Sequence, residues 1–403
     1  MNNEDGSEYK IQRLNLLAFP RDSNPVCELT GDRANVELVT PYLTLYYVSE
    51  ELAEQAWNGI IKKIAHLLSP LIQPAPIVGT QEERNRRVNN IVMSKRSLIE
   101  FCLNESSNLL SVHKYQLAFP AAIQALKFCK EVDGEKSVSM VEPYLQLSQA
   151  SLGLQQLNKA EEYLSLARWI VLNSENCSDF VQSRLYMLKG RVSTALGHFE
   201  DAKPDFADAV YHASRCYGAE SIVSSIGYFR LGDVFLAQGN VECALAFFDK
   251  VVDIWYKYLS ELHQGDKSVQ EGGDEGSLQM EGGEEEQSLT KKANLGSTQP
   301  AAVTSEQLTD ENLAEGRNQL EMIYEHRKRL LGNGHIATGE VQYTLGLFEF
   351  FLLFNEGVAE GLVVSALRSY EMQLGPAHPS TKHVSSMLQL IQQQISDKLD
   401  SMN

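Results

Sequence analysis

The sequence predicts an all-α protein built from repeated pairs of helices, with a small module near its N-terminal end. The main observation is a set of four alanines spaced 42 residues apart, Ala118, Ala160, Ala202 and Ala244. Three tyrosines keep the same interval, Tyr144, Tyr186 and Tyr228. A fixed interval shared by different residue types indicates one structural unit that recurs along the chain.

The pattern inside one interval predicts a helical hairpin. A first apolar series has the i, i+3, i+4, i+7 spacing of one helix face, namely Tyr228, Leu231, Gly232 and Phe235. Gly239 interrupts this series, and a second series with helical spacing begins at Ala244. We expect Gly232 and Ala244 to lie where the two helices cross, because a larger side chain there would push the helices apart.

This pattern resembles the tetratricopeptide repeat family, which also has small residues at the two crossing positions. The usual period is about 34 residues, and the longer interval here resembles the repeats of kinesin light chains. Two turns, Leu374–Pro379 and Leu331–His335, follow the Leu-Gly-x-x-His-Pro turn of that version. We expect the turn glycines to adopt the left-handed conformation that ends a helix. We expect His335 and His378 to pack in the turns or hydrogen-bond helix ends.

The resemblance implies a tetratricopeptide-type helical solenoid with repeats of about 42 residues. We assign these repeats to residues 90–262, and a C-terminal helical repeat with a capping helix to residues 305–398. Residues 263–304 are rich in Gly, Glu, Gln and Ser and have no apolar periodicity. They are therefore expected to form an acidic disordered insertion. Residues 1–20 are expected to be an N-terminal tail.

Residues 21–75 do not share the repeat. The segment Leu43–Val48 alternates like a strand, and Glu50–Leu68 follows with the spacing of a helix. The layout of this region resembles a MYND zinc finger, through Leu17–Pro20, Cys27-Glu28, Tyr46-Tyr47, Ala56-Trp57 and Lys62–Ile64.

The finger is degenerate. A MYND finger uses seven cysteines and one histidine to fill two tetrahedral zinc sites, but only Cys27 remains here. The other cysteine positions that can be matched carry Thr30, Val39, Tyr42 and Val48, and the histidine position falls at Glu51 or Leu52. Since one thiolate cannot hold zinc, we expect no metal ligands, with Val39, Leu43 and Val48 packing where the metal would lie.

A MYND-type module followed by such an array resembles a family of axonemal proteins. The resemblance implies a non-catalytic interaction scaffold of the motile cilium or flagellum, located in the cytoplasm, cytoskeleton and axoneme. The implied partners are a single-headed inner-arm dynein heavy chain, a protein like tetratricopeptide repeat protein 29, and other axonemal proteins.

Two alternatives remain. The first is a cytosolic cargo adaptor similar to kinesin light chain, although we see no heptad coiled coil of the kind that binds the motor. The second is a relative of SET-type lysine methyltransferases, which also combine MYND fingers with helical repeats. The sequence lacks the strand-rich SET domain, a phosphate-binding loop and a His-Glu-x-x-His motif. We therefore expect no enzymatic activity, no catalytic residues and no cofactor.

Composition excludes other classes. The net charge of -18 opposes binding to nucleic acid, which needs clustered Lys and Arg. No apolar run approaches the ~18 residues of a membrane helix, so no membrane partner is expected. The polar N-terminal segment is unlike a signal peptide, and the six cysteines lie far apart. We expect reduced, mostly buried thiols.

The candidate partner-binding residues lie on the first helix of successive hairpins, which lines the groove of such a solenoid. They are Gln149, Arg184, Met187, Arg191, Phe229, Asp233 and Leu236. Arg184 and Arg191 are seven residues apart, two turns along one helix face, and could bind an acidic partner segment. The alternative is that both are ordinary solvated arginines.

Overall fold

The computed structural model describes residues 9–15, 19, 25–72, 80–174, 177–271 and 310–402. The described chain is mostly helical, as the sequence predicts. It divides into two compact units, Met1–Cys216 and Tyr217–Asn403. The division falls inside the predicted 90–262 array.

A small antiparallel sheet opens the first unit. Its strands are β1 (Lys10–Arg13), β2 (Val36–Val39) and β3 (Thr44–Tyr47), with β2 in the centre. Strand β1 lies within the predicted tail, so the sheet begins before residue 21; Ile11 pairs with Leu38. The short segment of β1 has a single apolar residue, Ile11, which is why the sequence pattern did not reveal it.

The sheet is followed by a long helical segment with an internal π-helical turn. It comprises α1 (Glu50–Ala56), the π turn (Trp57–Ile61) and α2 (Lys62–Ile72). The Ser49 side chain caps α1 by accepting a hydrogen bond from the Leu52 N–H. The predicted apolar face is confirmed, because all of its members are buried: Ala53, Trp57, Ile60, Ile61 and Ile64.

The N-terminal module shares its core with the helices that follow. Leu38, Tyr47 and Trp57 belong to the same buried cluster as Cys102 and Phe128. Three apolar side chains were expected to pack where the zinc would lie. Leu43 and Val48 pack against this cluster, whereas Val39 is only half-buried and lies outside it.

Hydrogen bonds hold the β2–β3 turn, where two of the matched cysteine positions, Val39 and Tyr42, lie. The Thr40 hydroxyl donates to the Leu43 carbonyl oxygen at 2.7 Å and accepts from the Leu43 N–H at 3.0 Å. Across the described ranges, no group of three or more His, Cys, Asp or Glu side chains is placed to hold a metal ion.

The remaining helices of the first unit form three hairpins. They are α3 (Gln81–Ser111), α4 (Tyr115–Asp133), a 3-10 turn (Val138–Met140), α5 (Val141–Gly153), α6 (Leu157–Leu172), α7 (Asp179–Ala195) and α8 (Phe199–Tyr217). Helix α3 begins before the predicted boundary at 90, because Thr80 and Glu83 form a capping box at its start.

The second unit contains six described helices. They are α9 (Ile222–Ala237), α10 (Val241–Glu271), α11 (Asp310–Leu331), α12 (Ile336–Phe351), α13 (Glu356–Leu374) and α14 (Pro379–Met402). Helix α9 packs against α10, and α12 against α13, while α11 packs against both α9 and α12. Helix α10 continues past the predicted start of the insertion at 263; residues 272–304 of that insertion lie outside the described residues.

The four register alanines are fully buried at the helix crossings. Twelve residues before each of them stands a small residue of the first helix, in order Ser106, Ser148, Gly190 and Gly232. In the two serine crossings the hydroxyl donates to the carbonyl oxygen of the register alanine, at 3.3 Å for Ser106 and 2.7 Å for Ser148.

The two glycine crossings are filled by a phenylalanine instead. A Cβ atom on Gly190 would lie 2.6 Å from the Phe206 ring, and one on Gly232 would lie 2.6 Å from the Phe248 ring. Phe206 and Phe248 are themselves 42 residues apart and almost fully buried. The recurring interval therefore has two alternative packing solutions.

The turn inside each of these hairpins also recurs. One residue of each turn has a positive φ angle: His113 (58°), Gln155 (59°), Gly197 (80°) and Gly239 (78°). The next residue donates its N–H to a carbonyl five residues earlier, as Gln156 does to Ser151 at 2.9 Å and His198 does to Ser193 at 2.8 Å. This bond satisfies a carbonyl at the end of the first helix.

Replacing Gln155 by glycine should raise the free energy of unfolding by roughly 0.5–1 kcal/mol, since a side chain is strained at positive φ. The reverse change, Gly197→Gln, should lower it by about 1 kcal/mol. A Cβ at Gly197 would have no neighbour within 4 Å, so only the backbone conformation is tested. Urea denaturation measures both variants; shifts of the same sign would contradict the assignment.

Two glycines in the turns between hairpins do not adopt the expected left-handed helical conformation. Gly134 and Gly375 have positive φ angles, but their ψ angles of 168° and 160° place them in a region open essentially to glycine alone, not in the left-handed helical region. The predicted role of the turn histidines is confirmed. Nδ1 of His335 accepts from the Ala337 N–H, and Nδ1 of His378 accepts from the Ser380 N–H, each at 3.2 Å.

Candidate protein-binding surface

Four of the predicted partner-binding residues lie together on the first helices of the first unit. Gln149 is on α5, and Arg184, Met187 and Arg191 are on α7; all four are half-buried. Helices α5 and α7 pack against each other. Because Gln149 and Arg191 are 42 residues apart, they occupy the same position in successive hairpins.

Arg184 has an internal partner. Its Nη1 donates to Oε1 of Glu142 on α5 at 2.6 Å, and 37% of its side chain remains exposed. A partly exposed pair of this kind contributes about 0–1 kcal/mol. A guanidinium carries five N–H donors. The pair with Glu142 therefore leaves N–H groups that can donate hydrogen bonds to the carboxylate of a partner.

Phe180 extends this face and was missed by the sequence analysis. Phe180, Arg184, Met187 and Arg191 stand at i, i+4, i+7 and i+11 on α7; we call these four residues the α7 face. The Arg184 guanidinium lies over the Phe180 ring, 5.8 Å from its centre, and Phe180 is 44% exposed. The same helical spacing that suggested Arg191 could have identified Phe180.

A buried amide lies next to the α7 face. Nε2 of Gln146 donates to Glu142 Oε1 at 3.1 Å and to the Leu103 carbonyl of α3 at 3.2 Å. Its Oε1 is buried, with no hydrogen-bond partner in the part of the chain described. Gln146 thereby connects α3 and α5, and fixes the carboxylate that orients Arg184.

The prediction for Phe229 is wrong. Its side chain is 1% exposed and packs against Phe248, with ring centres 5.9 Å apart. A side chain buried between the two helices of its own hairpin has no surface to offer a partner.

Asp233 and Leu236 also face inward rather than an open groove. Asp233 lies 3.9 Å from Arg230 and 3.8 Å from Nε2 of His326 on α11. Burial raises the pKa of Asp233 to about 6, although Arg230 opposes the shift. Leu236 is half-buried against the core of the second unit. The reason is α11, which lies against α9 and is tied to it by the Arg230–Glu315 ion pair at 3.1 Å.

Exposed aromatic side chains form a second feature of the first unit that the sequence analysis did not identify. Trp169 on α6 is 49% exposed and Tyr211 on α8 is 58% exposed. Trp169 lies off the buried face of α6, which carries Leu164 and Ala167. The Arg215 guanidinium lies 5.8 Å from the centre of the Tyr211 ring. Large exposed rings of this kind are enriched in protein interfaces.

No helix within the described residues is both long enough and apolar enough to cross a membrane. No family model matches the sequence. Among solved structures, the chain is similar to the crystal structure of BtubC (BKLC) from P. vanneervenii, at 14% identity over 70% of this chain and 94% of that chain. The TM-score of that match is 0.28.

Proposed function

We propose that this protein is a non-catalytic interaction scaffold whose helical hairpins are tetratricopeptide-type repeats. The observation that carries the proposal is the recurrence, at intervals of 42 residues, of a fully buried crossing alanine and a positive-φ turn residue. In repeats of this type, small crossing residues let the two helices of each hairpin pack closely, and the stacked hairpins present an extended surface to other proteins.

The α7 face is the proposed binding surface. It combines two arginines with a half-exposed phenylalanine and a methionine on one helix. Aromatic residues, methionine and arginine are the types enriched at protein interfaces. This chemistry suits a partner segment that carries carboxylates beside apolar side chains.

The proposed setting is the axoneme of the motile cilium or flagellum, with an inner-arm dynein heavy chain and a protein like tetratricopeptide repeat protein 29 as partners. The support is the resemblance of the N-terminal region and the repeats to axonemal MYND-type proteins. In this proposal the N-terminal module descends from a MYND finger and folds without zinc, around Leu38, Tyr47 and Trp57.

The double change Arg184→Glu with Arg191→Glu should abolish capture of the tetratricopeptide partner in a pull-down with purified proteins. Charge reversal places two carboxylates where the partner's carboxylates would bind, and like charges repel. The melting temperature should fall by only a few degrees, because the lost Arg184–Glu142 pair contributes about 0–1 kcal/mol.

The matched control is Arg84→Glu with Arg86→Glu, two exposed residues of α3 that give the same change in net charge. This control should bind as the natural chain does. Retained binding by the α7 double variant would refute the α7 face as the docking surface. In a separate pull-down from an extract of ciliated cells, recovery of a kinesin heavy chain in place of axonemal proteins would favour the cargo-adaptor alternative.

A further inference from the structure

The second unit contains a cavity of about 450 Å³ lined by α10, α12, α13 and α14. Its size falls within the range of about 300–1,000 Å³ that is usual for ligand sites. The lining combines tyrosines with acidic residues and a histidine: Asp253, Tyr256, Glu340, Tyr343, Tyr370 and His383. Neither the hairpin packing nor the α7 face uses this cavity.

Three tyrosines present their hydroxyl groups to the cavity. Tyr343 is 3% exposed and Tyr370 is 8% exposed, and the rings of Tyr256 and Tyr343 have centres 6.1 Å apart. Among the described residues none of the three hydroxyls hydrogen-bonds to another protein group, and none is a fully buried polar atom left without a partner, so each remains accessible from the cavity. Burial raises the pKa of both Tyr343 and Tyr370, so these hydroxyls stay neutral.

Three carboxyl groups lie around one guanidinium beside the cavity, and burial raises the pKa of one of them, Glu340. The carboxylates of Asp249, Asp253 and Glu340 interact electrostatically with one buried guanidinium, that of Arg327. Arg327 donates to Asp249 and to the Ala337 carbonyl oxygen, and therefore serves the structure. The carboxylates of Asp253 and Glu340 have no ion pair in the part described. Lys257 interacts electrostatically with Asp253, but its Nζ forms an ion pair with Oε2 of Glu220 at 2.8 Å.

We propose that this cavity binds the guanidinium group of an arginine side chain that a partner protein presents. A guanidinium is a planar cation with five N–H donors, and it can be hydrogen-bonded by phenol oxygens and carboxylates on different walls at once. Tyrosine rings attract it further through their electron-rich faces. A metal ion fits less well, because no described group of His, Cys, Asp and Glu side chains has a suitable arrangement.

This inference deepens the proposed interaction role by giving the chemistry of one partner contact. The test uses the full chain with ¹³C-labelled tyrosine rings, titrated with N-acetyl-arginine methylamide and followed by NMR. The signals of Tyr256, Tyr343 and Tyr370, assigned from Tyr→Phe variants, should shift and saturate. The neutral isostere N-acetyl-citrulline methylamide should bind about tenfold more weakly or not at all, because it lacks the charge.

Glu340→Gln should weaken arginine binding about tenfold, because it removes a carboxylate and keeps the shape. Asp397→Asn is the matched control: it makes the same charge change at an exposed site of α14, about 21 Å along the helix from His383. A third titration uses N-acetyl-lysine methylamide, which carries the charge without the planar group. The proposal would be overturned if citrulline or lysine bound as tightly as arginine, or if the Glu340→Gln variant kept full affinity. The titration contains no partner protein, so its failure leaves the pull-down result for the α7 face unaffected.

Discussion

Combining Gly190→Ser with Phe206→Leu should cost far less stability than the two single changes added together. Gly190→Ser alone should lower the free energy of unfolding by about 2–3 kcal/mol, because its Cβ would lie 2.6 Å from the Phe206 ring. Phe206→Leu alone should cost about 1–2 kcal/mol through the cavity that it leaves. Phe206 is 1% exposed, so water cannot fill the space.

The double variant recreates the crossing of the preceding hairpin. There, 42 residues earlier, Ser148 faces Ala160 and the place of Phe206 is taken by Leu164. Ser148 donates to the Ala160 carbonyl oxygen at 2.7 Å, and a serine at 190 stands in the same relation to Ala202. We therefore expect the double variant to lie within about 1 kcal/mol of the natural chain, with a coupling energy of at least about 2 kcal/mol.

The natural chain, the two single variants and the double variant form a double-mutant cycle. Equilibrium urea denaturation measures the free energy of unfolding of each. The control cycle combines Gly190→Ser with Phe248→Leu, a phenylalanine that belongs to a different crossing, and its effects should simply add. Additive effects in the Gly190–Phe206 cycle would show that the two packing solutions are not alternatives.

Gly59→Ala should destabilise the first unit by about 3 kcal/mol. Gly59 lies in the π-helical turn, and a Cβ there would come within 2.4 Å of the carbonyl oxygen of Leu117 on α4. A backbone atom cannot rotate aside as a flexible side chain can, so the N-terminal module and the first hairpin would have to separate. Since the two share one core, the loss should appear as a lower melting temperature of the first unit.

Gly361→Ala is the matched control, because it makes the same chemical change in another helix. Gly361 lies exposed in α13, and a Cβ there would have no neighbour within 4 Å. Alanine stabilises a helix interior by roughly 0.5–1 kcal/mol relative to glycine, so this variant should melt higher. If Gly59→Ala also melted at or above the temperature of the natural chain, the close approach of the module to α4 would be disproved.

The helices and their crossings could be predicted because their signals are local and periodic. Apolar spacing placed the helices, and the 42-residue interval placed Ala118, Ala160, Ala202 and Ala244 at the crossings, where all are buried. The turn histidines could likewise be assigned, since an N-cap bond joins neighbours in the chain. On the candidate site, the same periodicity placed Arg184, Met187 and Arg191 on one partly exposed helix face.

The failures all concern contacts between separate helices or strands, which the pattern of one segment alone does not show. Phe229 and Asp233 have the correct helical phase, but Phe248 and His326 lie against them. His326 lies on α11, which begins after the predicted insertion. The apolar pattern of α11 does not indicate which other helix it packs against. Strand β1 was missed for a similar reason: its four residues become a strand only by pairing with β2.

By itself, the sequence determined the helical hairpin, its interval and the small residues at each crossing, because helix periodicity and close packing act between residues near in the chain. The tertiary structure decided which helix faces stay exposed. It left the α7 face partly open, covered α9 with α11, and joined the N-terminal module to the first hairpin at Gly59. It also brought Tyr256, Tyr343 and Tyr370, from three helices, around one acidic cavity. Long-range packing alone sets such surfaces, since a side chain's exposure depends on which distant segment packs against it.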